Sequence, residues 1–392
     1  MGRNECQEEK TVCHFGTFPK NQAYSRNLIV AACLRSAGWK ITECRVETEL
    51  TTSRRVHSFK SPFIFLSSLL SNFRYWLYLI LRHARIPDYD LMLVGYPSHI
   101  DVCLGFLLAR LKGRPLVMDA FISLYDTVVK DRRLIVEYSM AAKILWLYEW
   151  AVLHLADKVM VDTKAHKEMM IEMFRLRPDR IFAVPVGIDE NVWRSRPMPA
   201  RKETFHAALW STFIPLHGME TVVRAAEILS EKNCPIQILV MGEGQTADRF
   251  EQLIQKKKLN NIIWKRGFFD IQALVEMAAV ADCCLGIFGK TEKASRVVPY
   301  KVYQALALAR PVITAESTEM KRLFKKKPGG ILVPAADGEQ LAAALITLAT
   351  DAELCHRFSE NARKIYDNYL SNKIIEQKLD CLLQEIHNKK AR

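Results

Sequence analysis

The stretch from Ala281 to Gly330 constrains this chain more than any other. An apolar strand, Cys283–Ile287, opens into a loop bearing Gly and Lys, and a helix starts near Pro299. That helix runs to about Arg310 and drops into a second short strand, Pro311–Thr314. A strand–loop–helix–strand unit commits this part of the chain to an α/β architecture. It also aims the helix N-terminus and the loop amides at one spot. Such a spot suits phosphate, because the first-turn N–H groups have no intrahelical partner and the dipole end is positive. Arg296 and Lys301 flank the helix start and add full charge. On charge alone, a solvated basic helix in any α/β domain reads equally well.

The same alternation recurs on both sides. Thr11–Phe15 reads as a strand with Gly16 at the head of the following loop. Asn21–Ala37 has helical spacing and ends at Gly38, a residue suited to a C-cap. Trp39–Val46, Leu91–Val94, Leu116–Met118, Lys158–Val161 and Ala183–Val186 read as further strands, with helices at Val102–Leu111 and Ala141–Ala156. Phe205–Trp210, Ile236–Met241 and Ile262–Lys265 continue the series, with helices from Met219 and Ala247. Repeated βα units with short apolar strands imply parallel, doubly wound sheets. A chain of 392 residues suits two such domains. Arg194–Glu203, rich in Pro and Arg and without periodicity, reads as the linker, giving domains 1–197 and 203–371. No internal repeat is evident.

Hydrophobic residues make up 49% of the chain and charged residues 25%, which fits a globular protein and excludes a disordered one. The ten cysteines contain no C-x-x-C pair, and no secretory leader is visible, so reduced, buried thiols in a cytoplasmic protein are expected. The Met-Gly start carries Cys6 where a myristoylation motif needs Ser or Thr, which argues against lipidation. The net charge of +13 calls for an anionic partner. The cations are scattered, with short clusters such as Lys256–Lys258 and Lys325–Lys327, and no nucleic-acid motif accompanies them. A diphosphate substrate or an anionic membrane surface fits better than nucleic acid, so the expected place is cytoplasmic, with peripheral attachment to the inner face of the membrane as an option.

Phe63–Arg85 is the most apolar helix of the chain. Leu66, Leu69, Leu70, Phe73, Trp76, Leu77, Ile80 and Leu81 form a stripe, and Ser67, Ser71, Arg74, Tyr78 and Arg82 line the other side. Arg74 and its polar neighbours argue against a membrane span. Two readings stay open: a helix packed on the first sheet, or one lying in a membrane interface.

The wording of the opening segment resembles the nucleotide-binding signature of retaining, two-domain (GT-B) glycosyltransferases, specifically the large family-four group. Its pattern is roughly P-x-K-x-x-E-A-x-A-x-G-x-P-V-I, then an acidic residue and a Gly-Leu-Val-Pro strand. The matches here are Pro299, Lys301, Ala305, Ala307, Pro311, Val312, Ile313, Glu319 and Gly330-Ile-Leu-Val-Pro334. Val184-Pro-Val-Gly-Ile-Asp189 resembles the stretch that closes the family's first domain. Asp337-Gly-Glu-Gln-Leu341 and Ser359-Glu-Asn-Ala-Arg363 fit its C-terminal helices. The resemblance covers most of the chain. It implies two Rossmann-like domains facing each other across a cleft, with a last helix in 372–392 packing back on the first domain.

By the same resemblance, the donor is a nucleoside-diphosphate sugar, no separate cofactor is needed, and the acceptor is a glycan or a lipid-linked hydroxyl. Departing diphosphate has to be neutralised. The chain is read as lacking the Asp-x-Asp cluster of metal-dependent sites, so cations and a helix N-terminus are expected to do this without metal. Lys301 is the expected phosphate contact. In the family's G-R-x-x-x-x-K-G loop, Thr212 stands in the Arg slot and His217 in the Lys slot, so His217 is expected to help only if protonated, with Arg296 compensating. Gln304 falls where the family has its ribose-binding glutamate, and Arg296 where it has the partner glutamate eight residues earlier. Glu292 is a candidate replacement carboxylate. Gly242 and Gly244 follow a strand and allow close ligand approach, and Phe268 stands where the family packs the base. In the first domain, Gly16, the Gly95-Tyr-Pro-Ser-His99 loop and Asp119 fall at strand carboxyl ends. Asp119, in a region where relatives carry an active-site histidine, is the expected group to orient or deprotonate the acceptor hydroxyl. A loop-capping role reads as well for Asp119, and a core role as well for Phe268. Two other classes stay open: a catalytically weak nucleotide-sugar-binding partner of another transferase, motivated by the lost acidic pair, and an epimerase of the same fold, which rests on fold analogy alone.

Overall fold

A computed structural model describes residues 10–19, 26–48, 62–200 and 203–390, apart from the side chains of 19, 62–72 and 387–390. Cys6, Asn21 and the upper part of the Phe63–Arg85 stripe therefore lie outside the described residues or side chains. The chain forms two compact units, 1–186 with 375–392, and 187–374.

The first unit is built on a six-stranded sheet of order β2-β1-β3-β4-β5-β6, comprising β1 (Thr11–Pro19), β2 (Lys40–Thr48), β3 (Leu91–Val94), β4 (Leu116–Phe121), β5 (Lys158–Val161) and β6 (Ile181–Ala183). Every pairing is parallel. Alternate side chains feed two cores: Cys13 and Phe15 of β1 enter one, Val12 the other. Helix α1 (Arg26–Ser36) and the end of the last helix, through Ile375, Leu379, Leu382 and Leu383, cover one face. The other face is covered by α2 (Pro62–His83), α3 (Asp101–Leu111), α4 (Met140–Leu155) and α5 (Lys164–Phe174). Burial on both faces explains why β3 reads as an unbroken apolar run, and β5 as one from Val159 onward. Sequence reading misses α5; it starts at Thr163, whose hydroxyl accepts from His166 N–H at 3.1 Å. Gly16 is a correction: it lies inside β1, paired with Arg45, and the strand runs three residues beyond it.

The second unit has the order β12-β11-β10-β7-β8-β9, again all parallel. Its strands are β7 (Phe205–Ser211), β8 (Ile236–Gly242), β9 (Ile262–Arg266), β10 (Cys283–Leu285), β11 (Val312–Ala315) and β12 (Gly330–Val333). The connecting helices are α6 (Met219–Glu231), α7 (Ala247–Lys257), α8 (Ile271–Ala279), α9 (Tyr300–Ala307), α10 (Thr318–Phe324) and α11 (Gly338–Thr350), followed by α12 (Ala352–Ile365); the last helix, α13 (Asn372–Lys390), belongs to the first unit from Ile375 onward. Asp270, Ser317, Asp337 and Asp351 each accept a first-turn N–H and so set where α8, α10, α11 and α12 begin. Order along this sheet reverses between β7 and β10, which makes the pair a topological switch point.

The linker expected at Arg194–Glu203 belongs to the second unit, whose boundary falls at Gly187. Composition misleads here because the bonds that pin this segment come from far away. Arg310, fully buried, donates to the carbonyls of Arg196 and Pro197 at 2.9 and 2.7 Å. Trp193 stacks on Trp210 with ring centroids 5.5 Å apart, and Glu190 accepts from the Tyr366 hydroxyl at 2.8 Å.

Candidate functional site

At the switch point of the second unit, three strand-end loops are tied together. Gly242, the last residue of β8, and Gly244 just beyond it, at φ +144° and +151°, have almost no space beside them. A Cβ there would lie 1.8 Å from the Ser211 carbonyl oxygen and 2.0 Å from that of Thr212, so only glycine fits. Both glycines are thus required for packing on the loop after β7, and not only for access to a ligand. The N–H groups of Phe288 and Gly289, beyond β10, donate to the carbonyls of His217 and Leu216, each at 3.1 Å. The loop that carries Thr212 and His217 is therefore fixed from both sides.

Lys301 lies in the first turn of α9, where no side chain caps the helix at Pro299. The lysine is buried, and its Nζ has no hydrogen-bond partner among the described residues. Burial pushes its amine down to about 7. An amine so placed is an unusual thing to keep unless an anion arrives to pair with it. His217 is held neutral: burial, and then the charge of Lys301, push its imidazole well below the ordinary value. This corrects the idea that His217 supplies a cation. Its Nδ1 lies 2.7 Å from Ser211 Oγ, and Ser211 Oγ already accepts from Phe213 N–H at 3.0 Å.

Gln304 also departs from expectation. Its Oε1 accepts from the indole N–H of Trp210 at 2.8 Å, and an indole can only donate, which identifies the oxygen. One lone pair of the atom expected to meet ribose is therefore in use. Arg296, with a mostly buried side chain, meets Glu292 at 3.4 Å, one helical turn away in sequence. Glu292 is thus engaged with Arg296 in this structure. Phe268 is 85% exposed, so it forms no packed wall within its unit.

In the first unit the expected acceptor-side residues form a buried frame. Asp101 Oδ2 accepts from both the N–H and the hydroxyl of Thr17 at 2.7 Å, and its Oδ1 from Trp76 at 3.2 Å. Gly16 is hemmed in by the same group, since a Cβ at this position would lie 3.2 Å from Asp101 Oδ2. Asp119 is 1% exposed, with Oδ2 2.7 Å from Arg26 Nε. Arg26 also donates to the carbonyls of Val184 and Pro185, each at 3.2 Å. Burial raises the Asp119 carboxyl, opposed by Arg26. One oxygen of Asp119 is thus held by Arg26, while its Oδ1 is buried with no hydrogen-bond partner among the described residues; the pair ties the end of β4 to the segment after β6, a role in the fold that the sequence does not show. In the same unit, His166 Nδ1 lies 2.5 Å from Asp162, a pair that its i, i+4 spacing at the start of α5 would have flagged.

Among the described residues no three His, Cys, Asp or Glu side chains gather as a metal site. One Asp-x-Asp tripeptide, Asp88-Tyr89-Asp90, does occur, contrary to the expectation drawn from the sequence. It precedes β3, at the amino end of the strand, where Asp88 pairs with Arg114 and Asp90 accepts from Thr11 N–H at 2.8 Å.

Comparison with known proteins matches residues 199–365 to the family "Glycosyl transferases group 1". WcaL of Escherichia coli strain K12, provisionally assigned as a colanic acid biosynthesis glycosyltransferase, is 22% identical over 214 residues. That match covers 53% of this chain and 52% of WcaL, and the chain spans about half the length of the curated relatives it matches there. Anabaena HepE, solved in complex with UDP, superposes with a TM-score of 0.67 at 15% identity over 96% of this chain and 100% of that one. Sucrose-phosphate synthase from Thermosynechococcus elongatus gives 0.68 at 15% identity over 97% and 100%. At such identities the structures attest the fold: the two doubly wound parallel sheets of the GT-B class. Residues 199–365, which carry Lys301, the switch-point loops and the motif positions of the second unit, are the part of this chain that matches the group 1 glycosyl transferases.

Proposed function

We propose that this chain is a retaining glycosyltransferase that moves a sugar from a nucleoside-diphosphate donor to a hydroxyl of a glycan or lipid-linked acceptor. The observation that carries this reading is the buried Lys301 Nζ, without a hydrogen-bond partner among the described residues, in the first turn of α9 next to the β7–β10 switch point. Support also comes from the family match and from a HepE structure that holds UDP. In the transfer, the bond from the anomeric carbon to the diphosphate breaks and a bond to the acceptor oxygen forms on the same face. The acceptor proton leaves with the diphosphate or to water. Lys301, the start of α9 and the nearby Arg296 stabilise the charge that builds on the departing diphosphate. Neutral His217 contributes a ring hydrogen bond and no charge.

Thermal unfolding with a panel of uridine, guanosine, adenosine and thymidine diphosphate sugars tests the reading. One donor at about a hundred times its Kd should raise Tm by several degrees, since mass action then adds about 2.7 kcal/mol. A flat panel would remove the nucleotide-sugar assignment. The catalytically weak alternative has its own support in Gln304, whose oxygen is shared with Trp210. It requires a Tm rise with no donor turnover.

Lys301 also sets a pH dependence. Below about pH 7 its amine is already charged, and a diphosphate binds without proton exchange. Above that, the free protein holds a neutral amine, so binding has to take up a proton and affinity falls as pH rises, by at most about tenfold per unit. Calorimetry in two buffers of different ionisation enthalpy should show this uptake at alkaline pH. Constant affinity across about two units above neutrality, with no proton uptake, would contradict it.

A further inference from the structure

Helices α2, α3 and α4 of the first unit are apolar on both faces. Their inner faces enter the core through Leu79, Val102, Leu104, Leu108, Val152 and Leu153. The outer faces carry Phe73 and Leu77 on α2, Leu107 and Leu111 on α3, and Ile144 and Leu147 on α4, all between 52% and 83% exposed. Helix α3 packs against both α2 and α4, so the three outer faces adjoin. Scattered apolar residues on a surface need no explanation, but an adjoining set on one layer does.

Charge identifies the occupant. The sequence of α2 contains no acidic residue. The one acid of α3, Asp101, and the one acid of α4, Glu149, are buried and bonded inward to Thr17 and Trp76, and to His99 and Ser123. The exposed charges on these helices are cations: Arg74, Arg110 (paired with Asp157 just past α4) and Lys143. With Asp157 already paired to Arg110, a second copy of the chain would set Arg74 and Lys143 against like charge, with no acidic side chain exposed on the three helices to meet them. An anionic lipid surface offers both an apolar interior and the complementary charge. Among the described residues no helix is long and apolar enough to cross a membrane. We propose that this face docks on an anionic phospholipid bilayer, with α2, α3 and α4 lying in the interface plane. Docking places the enzyme beside lipid-linked acceptors, which deepens the transferase reading; vesicle binding is read without any transfer, so either can fail alone.

Flotation of the full chain with vesicles tests the proposal, using phosphatidylcholine alone and mixed with phosphatidylglycerol. The protein should float with the anionic vesicles at low salt, bind less as salt rises, and keep a salt-resistant fraction from its apolar contacts. Leu111→Asp with Leu147→Asp should cut the bound fraction about tenfold or more without lowering Tm. Val280→Asp, a 52% exposed site in the second unit, should leave it unchanged. Leu111→Asp alone, at an 83% exposed position, serves in the same sense if the pair unfolds. No flotation with anionic vesicles, full release by salt, undiminished binding by the paired variant, or a dimer in ultracentrifugation that the pair dissolves would each overturn it.

Discussion

Lys301→Ala is expected to lower kcat/KM by about 2–4 kcal/mol, the scale for removing one preorganised group that meets developing charge. At the same time the fold should hold, because the substitution removes a buried amine that no protein group partners among the described residues. A lysine kept for structure would give the opposite pattern, a loss of Tm with little change in turnover of the folded fraction. Lys301→Arg is not a rescue: a planar, always-charged guanidinium does not fit a site that tolerates a neutral amine. Wild-type turnover by a folded Lys301→Ala protein would remove the phosphate assignment.

Arg26→Ala should destabilise the first unit by about 3–5 kcal/mol. It leaves Asp119, 1% exposed, as an unpaired buried carboxylate and frees the carbonyls of Val184 and Pro185. Denaturant unfolding measures it. Replacing both partners, Arg26→Met with Asp119→Asn, should cost less than Arg26→Ala alone, because no lone charge then remains. A loss under about 1 kcal/mol for Arg26→Ala would show that Asp119 is protonated or solvated and not ion-paired.

The sheets are legible in the sequence because strands buried on both faces spell out short, mainly apolar runs: Leu91–Val94 and Lys158–Val161, the latter apolar after its lysine, match their expected bounds. Helix starts at Met219 and Ala247 are equally plain. Periodicity is less informative for α2. It marks an apolar stripe but not which side meets the sheet, and Leu79 turns inward while Phe73, Leu77, Ile80 and Leu81 turn out. An interior helix with a second apolar face looks the same in one dimension as an ordinary core helix.

Motif wording locates Lys301, yet it cannot show the state of the groups around it. His217 stands in a cationic slot, and its burial next to Lys301 pushes its imidazole well below the ordinary value, so it stays neutral where a protonated ring was expected to help. Trp210 and Gln304 are 94 residues apart, and Arg26 and Asp119 are 93 apart, so neither partnership leaves a local trace. Long-range pairings of this kind decide whether a polar side chain serves the ligand or the fold.

Release of nucleoside diphosphate from a nucleoside-diphosphate sugar, followed with and without an added glycan acceptor, reads the transfer step itself. The purified chain should release diphosphate in step with a new glycoside that keeps the donor's anomeric configuration, and Lys301→Ala should lose both together. Binding of the donor with no release under any acceptor, or a glycoside of inverted configuration, would contradict the assignment of this chain as a retaining glycosyltransferase.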